Sequence, residues 1–164
     1  MTVSDDCGLA MVKGTSHVGI SVSDLDATLG FYRDAFEMQT VAEIAFDETT
    51  ENGRYEQILG IKGARGRAVL LRVGSMQVEL FEFSHPAPKR ADPSRPVSDN
   101  GISHFCIEVS DIEMHCARLQ AAGATFHCSP LVFFGRSKAT YLRDPEGNVI
   151  ELYEKIAAVE ADQG

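Results

Sequence analysis

The chain contains one pattern twice. His17-Val-Gly-Ile-Ser-Val-Ser-Asp-Leu-Asp26 aligns with His104-Phe-Cys-Ile-Glu-Val-Ser-Asp-Ile-Glu113, and five of the ten positions (His, Ile, Val, Ser, Asp) are identical. Glu79-Leu80-Phe81-Glu82 returns as Glu151-Leu152-Tyr153-Glu154. The first pair of echoes is 87 residues apart and the second 72, so the first copy carries about 15 residues that the second lacks. The polar stretch 47–53, with the residues just after it, is the natural place for them. Two copies of one supersecondary unit must bury matching apolar faces, which restricts the fold to a paired arrangement.

Each copy opens as a strand and continues as a helix. Val18, Ile20 and Val22 alternate with His17, Gly19 and Ser21, which is the two-residue period of a strand. Leu25, Leu29, Tyr32 and Phe36 then recur at helical spacing. The second copy repeats this with Phe105, Ile107 and Val109, then Ile112, Cys116 and Leu119. Ser110 with Glu113 fits a capping box there, and Gly123 suits the residue past the helix end. Strand-rich segments come next: 40–46, 67–73 and 76–83 in the first copy, and 125–128, 138–143 and 148–153 in the second. Gly74-Ser75 and Asp144-Pro-Glu-Gly-Asn148 read as hairpin turns. The order is βαβββ twice, an α+β chain. It divides into a tail 1–15, a first module 16–83, an extended linker 84–100, a second module 101–154 and a tail 155–164. The linker holds four of the six prolines.

Composition excludes several classes. A hydrophobic fraction of 44% with 24% charged residues suits a folded globular domain and not a disordered one. No stretch approaches the ~18–20 apolar residues of a membrane span, so no membrane partner is expected. Twenty-four acids against 15 bases give a net charge of −9, which opposes binding to nucleic acid. The opening MTVSDDCGLAMVKG lacks the apolar core of a secretory leader, and Cys7, Cys106, Cys116 and Cys128 form no CxxC or disulfide framework. The expectation is reduced thiols and a cytoplasmic protein.

The chemistry lies in what the repeat duplicates. Both copies begin with a histidine on a strand and end with a glutamate on a strand. His17, Glu79, His104 and Glu151 combine imidazole and carboxylate donors, a suitable set for one divalent transition metal. Parity places His17 and His104 opposite the apolar residues that pack under the helices. Glu79 shares its face with Phe81 and Phe83, and Glu151 with Val149 and Tyr153. A carboxylate among apolar neighbours is costly to desolvate, and a metal removes that cost. The set does not choose among Zn, Ni, Co, Mn and Fe.

HVGISVSDLDATLGFYRDAF, VELFEF, GISHFCIEVSDIE and YLRDPEGNVIELYE together resemble the vicinal oxygen chelate superfamily, which includes glyoxalase I, methylmalonyl-CoA epimerase, extradiol dioxygenases and the bleomycin- and fosfomycin-resistance proteins. The resemblance runs from about Ser16 to Glu154. It implies two βαβββ modules curled into a metal-containing cleft, with His17, Glu79, His104 and Glu151 as the ligands. It also implies a homodimer acting on a small-molecule substrate. Among the chemistries of that family, the available fourth ligand favours a glyoxalase- or epimerase-like isomerase or lyase. There a metal-stabilised enediolate forms and a carboxylate, Glu79 or Glu151, carries the proton. The alternatives are an extradiol-type dioxygenase and a metal-free, ligand-sequestering resistance protein. The stretch Gly63-Ala-Arg-Gly-Arg67 has no acid where methylmalonyl-CoA epimerases carry one, so a two-base epimerase of that type is not expected. A weaker likeness to the valiolone-epimerase-related branch lies in GARGRAVLLRVGSMQVELFEF.

Other residues are expected to be structural. Cys106 shares parity with His104 but reads first as a small buried filler. Cys116 lies on the apolar stripe of its helix, and His115 and His127 read as structural. Arg65 and Arg67 are either anion holders or solvated cations. Residues 55–61 are expected as a short helix over the cleft, with Glu56 as a speculative acid or base.

Overall fold

The structure is a computed structural model that describes residues 11–157, so Cys7 and the last seven residues lie outside it. The first module runs β1 (Val18–Ser21), α1 (Leu25–Phe36), β2 (Gln39–Phe46), α2 (Arg54–Leu59), β3 (Arg65–Val73) and β4 (Met76–His85). The second runs β5 (Phe105–Glu108), α3 (Ile112–Ala121), β6 (Thr125–Phe126), β7 (Leu131–Phe133), β8 (Ser137–Arg143) and β9 (Val149–Lys155). Each module is one sheet, ordered β1-β4-β3-β2 and β5-β9-β8-β6, with β7 added on β8. In both, the first strand lies parallel to the last and the other pairings are antiparallel. The βαβββ modules expected from the repeat are present twice.

Two details depart from expectation. The segment 125–128 holds only the two-residue β6, and the chain then re-pairs with β8 as β7, a strand that sequence alone did not suggest. Leu131-Val-Phe133 lacks the apolar–polar alternation that marks a half-buried strand. The strands β4 and β9 also run past Phe83 and Tyr153, to His85 and Lys155.

Each helix lies on one face of its own sheet. Leu25, Leu29, Tyr32 and Phe36 are all buried, with Phe31 and Ala35 beside them, so α1 buries a stripe wider than one sheet needs. The excess meets the other half of the molecule: a single core joins these residues to Ile112, Leu119, Leu142, Ile150 and Leu152. The caps explain part of the repeat. Asp24 accepts from the Ala27 amide at 2.9 Å, and Glu82 accepts from the Leu25 amide at 3.1 Å. In the second module the cap is Asp111, which accepts from the Met114 amide at 3.1 Å, in place of the expected Ser110 box. Glu154 completes it by accepting from the Asp111 amide at 2.7 Å. The last glutamate of each Glu-Leu-aromatic-Glu echo therefore satisfies orphan donors at the start of its own module's helix.

The modules are also tied by polar groups. The buried Tyr32 hydroxyl on α1 donates to Asp144 Oδ2 at 3.0 Å. Asp144 further accepts from the Glu146 and Asn148 amides and from the Asn148 side chain. Glu146 accepts in turn from the Ser23 hydroxyl at 2.6 Å and the Asp24 amide at 3.2 Å, adding a carboxylate from the second module at the start of α1. Burial is the main cause that pushes the Asp144 carboxyl above its ordinary range and the Tyr32 hydroxyl well above its own.

Candidate metal centre

The sheet face away from α1 and α3 carries the expected donors, two by two. Glu79 stands opposite Gly19 in the β1–β4 ladder, with His17 two residues earlier, and His17 Nε2 lies 3.2 Å from Glu79 Oε2. Glu151 stands opposite Cys106 in the β5–β9 ladder, with His104 two residues earlier, and His104 Nε2 lies 3.1 Å from Glu151 Oε2. Identical register offsets in both modules give nearly identical pairs. Two donors at right angles on one ion, each at the ~2.0–2.2 Å of a zinc–nitrogen or zinc–oxygen bond, stand about 3 Å apart. Each pair therefore matches neighbouring positions on a metal, in donor type and in spacing.

The structure does not bring the four together. Among the described residues no group of three or more His, Cys, Asp or Glu side chains is placed to hold a metal ion. His17 opens onto a cleft of ≈ 740 Å³ that Gln77, Cys106 and Glu108 also line, whereas His104 opens onto another of ≈ 460 Å³ beside the linker. Among the described residues the four expected donors therefore stand as two half-sets of two donors each.

The surroundings of the pairs differ. In the second module Tyr141 stands opposite Glu151, and its hydroxyl lies 3.4 Å from His104 Nε2. The Ser103 hydroxyl is 2.8 Å from His104 Nδ1, and the His127 ring stacks against Tyr141. Cys106, expected first as a filler, lies exposed on this face beside Glu151. Partial desolvation by its neighbours, with Glu151 as the second cause, pushes its thiol up to about 11. In the first module Leu70 occupies the place opposite Glu79, and Gly19 the place of Cys106. Tyr141 carries no signal in the sequence because its role depends on the β8–β9 register. His127 reaches the site face through its stacking on Tyr141.

Other expectations resolve to structural roles. Glu56 accepts from the Gly63 amide at 2.6 Å, so this carboxylate fastens the inserted loop. Arg65 pairs with Glu48 through two hydrogen bonds, and Arg67 bridges Asp26 and Glu82 beside α1. Neither arginine is left free for an anionic ligand. Cys116 packs against the core, as its place on the stripe suggested. The inserted residues do form a helix, α2, and its Tyr55 stacks on Phe46 at 5.3 Å between ring centroids.

With this geometry in view, comparison with known proteins gives the family. The sequence profile of the Glyoxalase/Bleomycin resistance protein/Dioxygenase superfamily matches residues 14–152, and the chain belongs to that superfamily. It is 26% identical over 144 residues to the uncharacterized protein YaeR of Escherichia coli, covering 88% of this chain and 98% of that one. It is 27% identical over 140 residues to a probable lactoylglutathione lyase of Vibrio parahaemolyticus, covering 84% and 88%. The crystal structure of a glyoxalase family protein from Bacillus cereus superposes with a TM-score of 0.78 at 22% identity, covering 90% of this chain and 100% of that one.

Proposed function

We propose that the protein is a divalent-metal-dependent isomerase, epimerase or lyase of glyoxalase type, in which His17, Glu79, His104 and Glu151 hold one ion. The observation that carries this is the duplicated His–Glu pair, with separations of 3.2 and 3.1 Å at equivalent register positions. The likeness to a probable lactoylglutathione lyase favours the same class. Each chain offers two half-sets, so a homodimer completes the set: the first-module pair of one copy meets the second-module pair of another.

The bound ion, one of Zn, Ni, Co, Mn or Fe, would supply Lewis acidity to two neighbouring oxygens of a small substrate. The chain's own residues do the rest. Glu79 lies among Leu70, Phe81 and Gly19 with His17 as its polar neighbour, so it is the carboxylate less constrained to stay in place and suited to accept a proton from the substrate carbon. Glu151 is fixed by His104 and by Cys106 beside it, and Tyr141 presents a hydroxyl next to the same histidine.

Metal content and activity test this together. Protein purified without added metal is expected to carry one divalent ion per completed site, and His17→Ala or His104→Ala to lose it. Mixing these two inactive variants should restore part of the activity, because one of the two sites in the mixed dimer is intact. Glu79→Gln should retain some metal, because the Gln oxygen ligates only weakly, and lose about 10²–10⁴-fold in rate. Absence of metal in wild type, or a requirement for molecular oxygen, would overturn the proposal. Monomer in light scattering at micromolar concentration would remove the completed set.

A further inference from the structure

Both copies lead into their first strand with Gly-x-Ser-His: Gly14-Thr-Ser-His17 and Gly101-Ile-Ser-His104. The two glycines turn the chain alike, with positive φ of 127° and 118°. The two serines do not behave alike. The Ser103 hydroxyl stands 2.8 Å from His104 Nδ1, whereas Ser16 is exposed and, among the described residues, forms no hydrogen bond with His17. The linker accounts for the difference. Arg95 donates to the Ile102 carbonyl at 2.9 Å and to the Asn100 carbonyl at 3.4 Å, gripping the turn on both sides of Gly101. Its own carbonyl accepts from Arg143 of β8 at 2.7 Å, which ties that grip to the second sheet. A Cβ added at Gly101 would meet the Arg95 guanidinium at 3.8 Å, while one at Gly14 would meet nothing within 4 Å among the described residues. The Tyr141 ring also packs edge-on against His104, 4.9 Å between centroids.

We propose that Ser103 is a positioning residue for His104, and that the His104–Glu151 half-set anchors the ion before the His17–Glu79 half-set of a second copy joins it. This rests on the metal-site reading above. A neutral histidine ligates through the lone pair of one ring nitrogen while the other carries the proton. His104 Nε2 faces Glu151, so the ligating form places the proton on Nδ1, and the Ser103 oxygen accepts it. Before the ion arrives, Nε2–H points at Glu151 and the same hydroxyl turns to donate to Nδ1. Ser103 thus serves both tautomers, and loading shifts a proton without rotating the ring. His17 has no such partner among the described residues, so fixing its ring costs conformational entropy at the moment of binding. Partners of this kind, one shell out from a metal, typically carry about 10–100-fold in affinity.

Zinc titration of the full-length protein, read by calorimetry, tests this. Ser103→Ala should weaken zinc binding about 10–100-fold, and Ser103→Thr, which keeps a hydroxyl, should stay within about threefold of wild type. Ser16→Ala should change nothing. Arg95→Ala should weaken binding by a smaller factor than Ser103→Ala, because the turn loosens while the hydroxyl remains. His104→Ala should lose more affinity than His17→Ala. In zinc-loaded protein with isotope-labelled histidine, NMR should find the His104 proton on Nδ1, exchanging slowly with water in wild type and fast in Ser103→Ala. That signal separates a lost hydrogen bond from a general loosening of the fold. Unchanged zinc affinity in Ser103→Ala, an equal loss in Ser16→Ala, or a proton on Nε2 of loaded His104 overturns the positioning role. A larger loss in His17→Ala overturns the anchoring order, and unchanged affinity in Arg95→Ala overturns the part given to the linker. Failure of wild type to bind zinc overturns the metal site itself, and the role of Ser103 with it.

Discussion

The two modules share a chain path and a His–Glu pair, and differ in what stands around that pair. In the first, Leu70 and Gly19 flank Glu79, and α2 closes the wall beyond. In the second, Tyr141, Cys106 and His127 surround Glu151 and His104, and the wall beyond is open. Duplication kept the part set by backbone register and let the part set by side chains diverge. The first half surrounds its pair with apolar side chains and the second with polar ones, although the first histidine is the more exposed, 42% against 29%.

Substitution at the two equivalent aromatics is the strongest way to break this contrast. Phe46→Ala should lower unfolding free energy by about 3–5 kcal/mol, since it empties a packed site. Phe133→Ala, at the equivalent place two rows past Glu151, should cost clearly less, about 1 kcal/mol, because that residue is 44% exposed and no helix covers it among the described residues. Urea titration of both variants reads the difference, and equal losses would mean that the walls are not covered unequally.

The dependence of the halves on each other gives a smaller, pH-dependent signal. Burial raises the Asp144 carboxyl in the folded protein, so the stability associated with its protonated form is present below the unfolded value near 4 and is lost as pH rises through the folded value. Wild type should therefore gain stability relative to Asp144→Asn as pH falls from neutrality toward 4. Thermal melts of both proteins across that range check the sign, and a relative loss on acidification would contradict it. The smallest effect concerns Cys116, at the place on α3 that Leu29 holds on α1. Its thiol is pushed up to about 11 by burial and then by Glu113. Iodoacetamide at pH 8 should leave Cys116 unmodified while it consumes free cysteine, and mass spectrometry of the digested protein would show otherwise if the thiolate were present.

Much of this architecture was legible in the sequence because the repeat and the two periodicities report backbone geometry directly. Strand alternation placed His17, Glu79, His104 and Glu151 on the site face, and helical spacing placed the stripe of α1. What was not legible depends on register between strands or on distance through space. Tyr141 joins the site only because β8 pairs with β9 at Glu151. The strand β7 gives no pattern because its residues do not alternate. The second cap lies one residue past its expected place, since Ser110 and Asp111 are both good capping residues and only backbone dihedrals decide between them. The separation of the four donors into two pairs could not be read from a pattern that is the same in both copies.

The hydrogen bonds from Ser23 and Asp24 to Glu146 bear on how such a chain can evolve. A freshly duplicated module would end its helix contacts within itself, and either copy could be lost, swapped or fused elsewhere. Here the start of the first copy's helix is held partly by the second, and the Tyr32 hydroxyl has its partner there as well. Exchanging the second half for one without Asp144 would strand the buried Tyr32 hydroxyl, whereas the exposed Ser23 and Asp24 donors would turn to water.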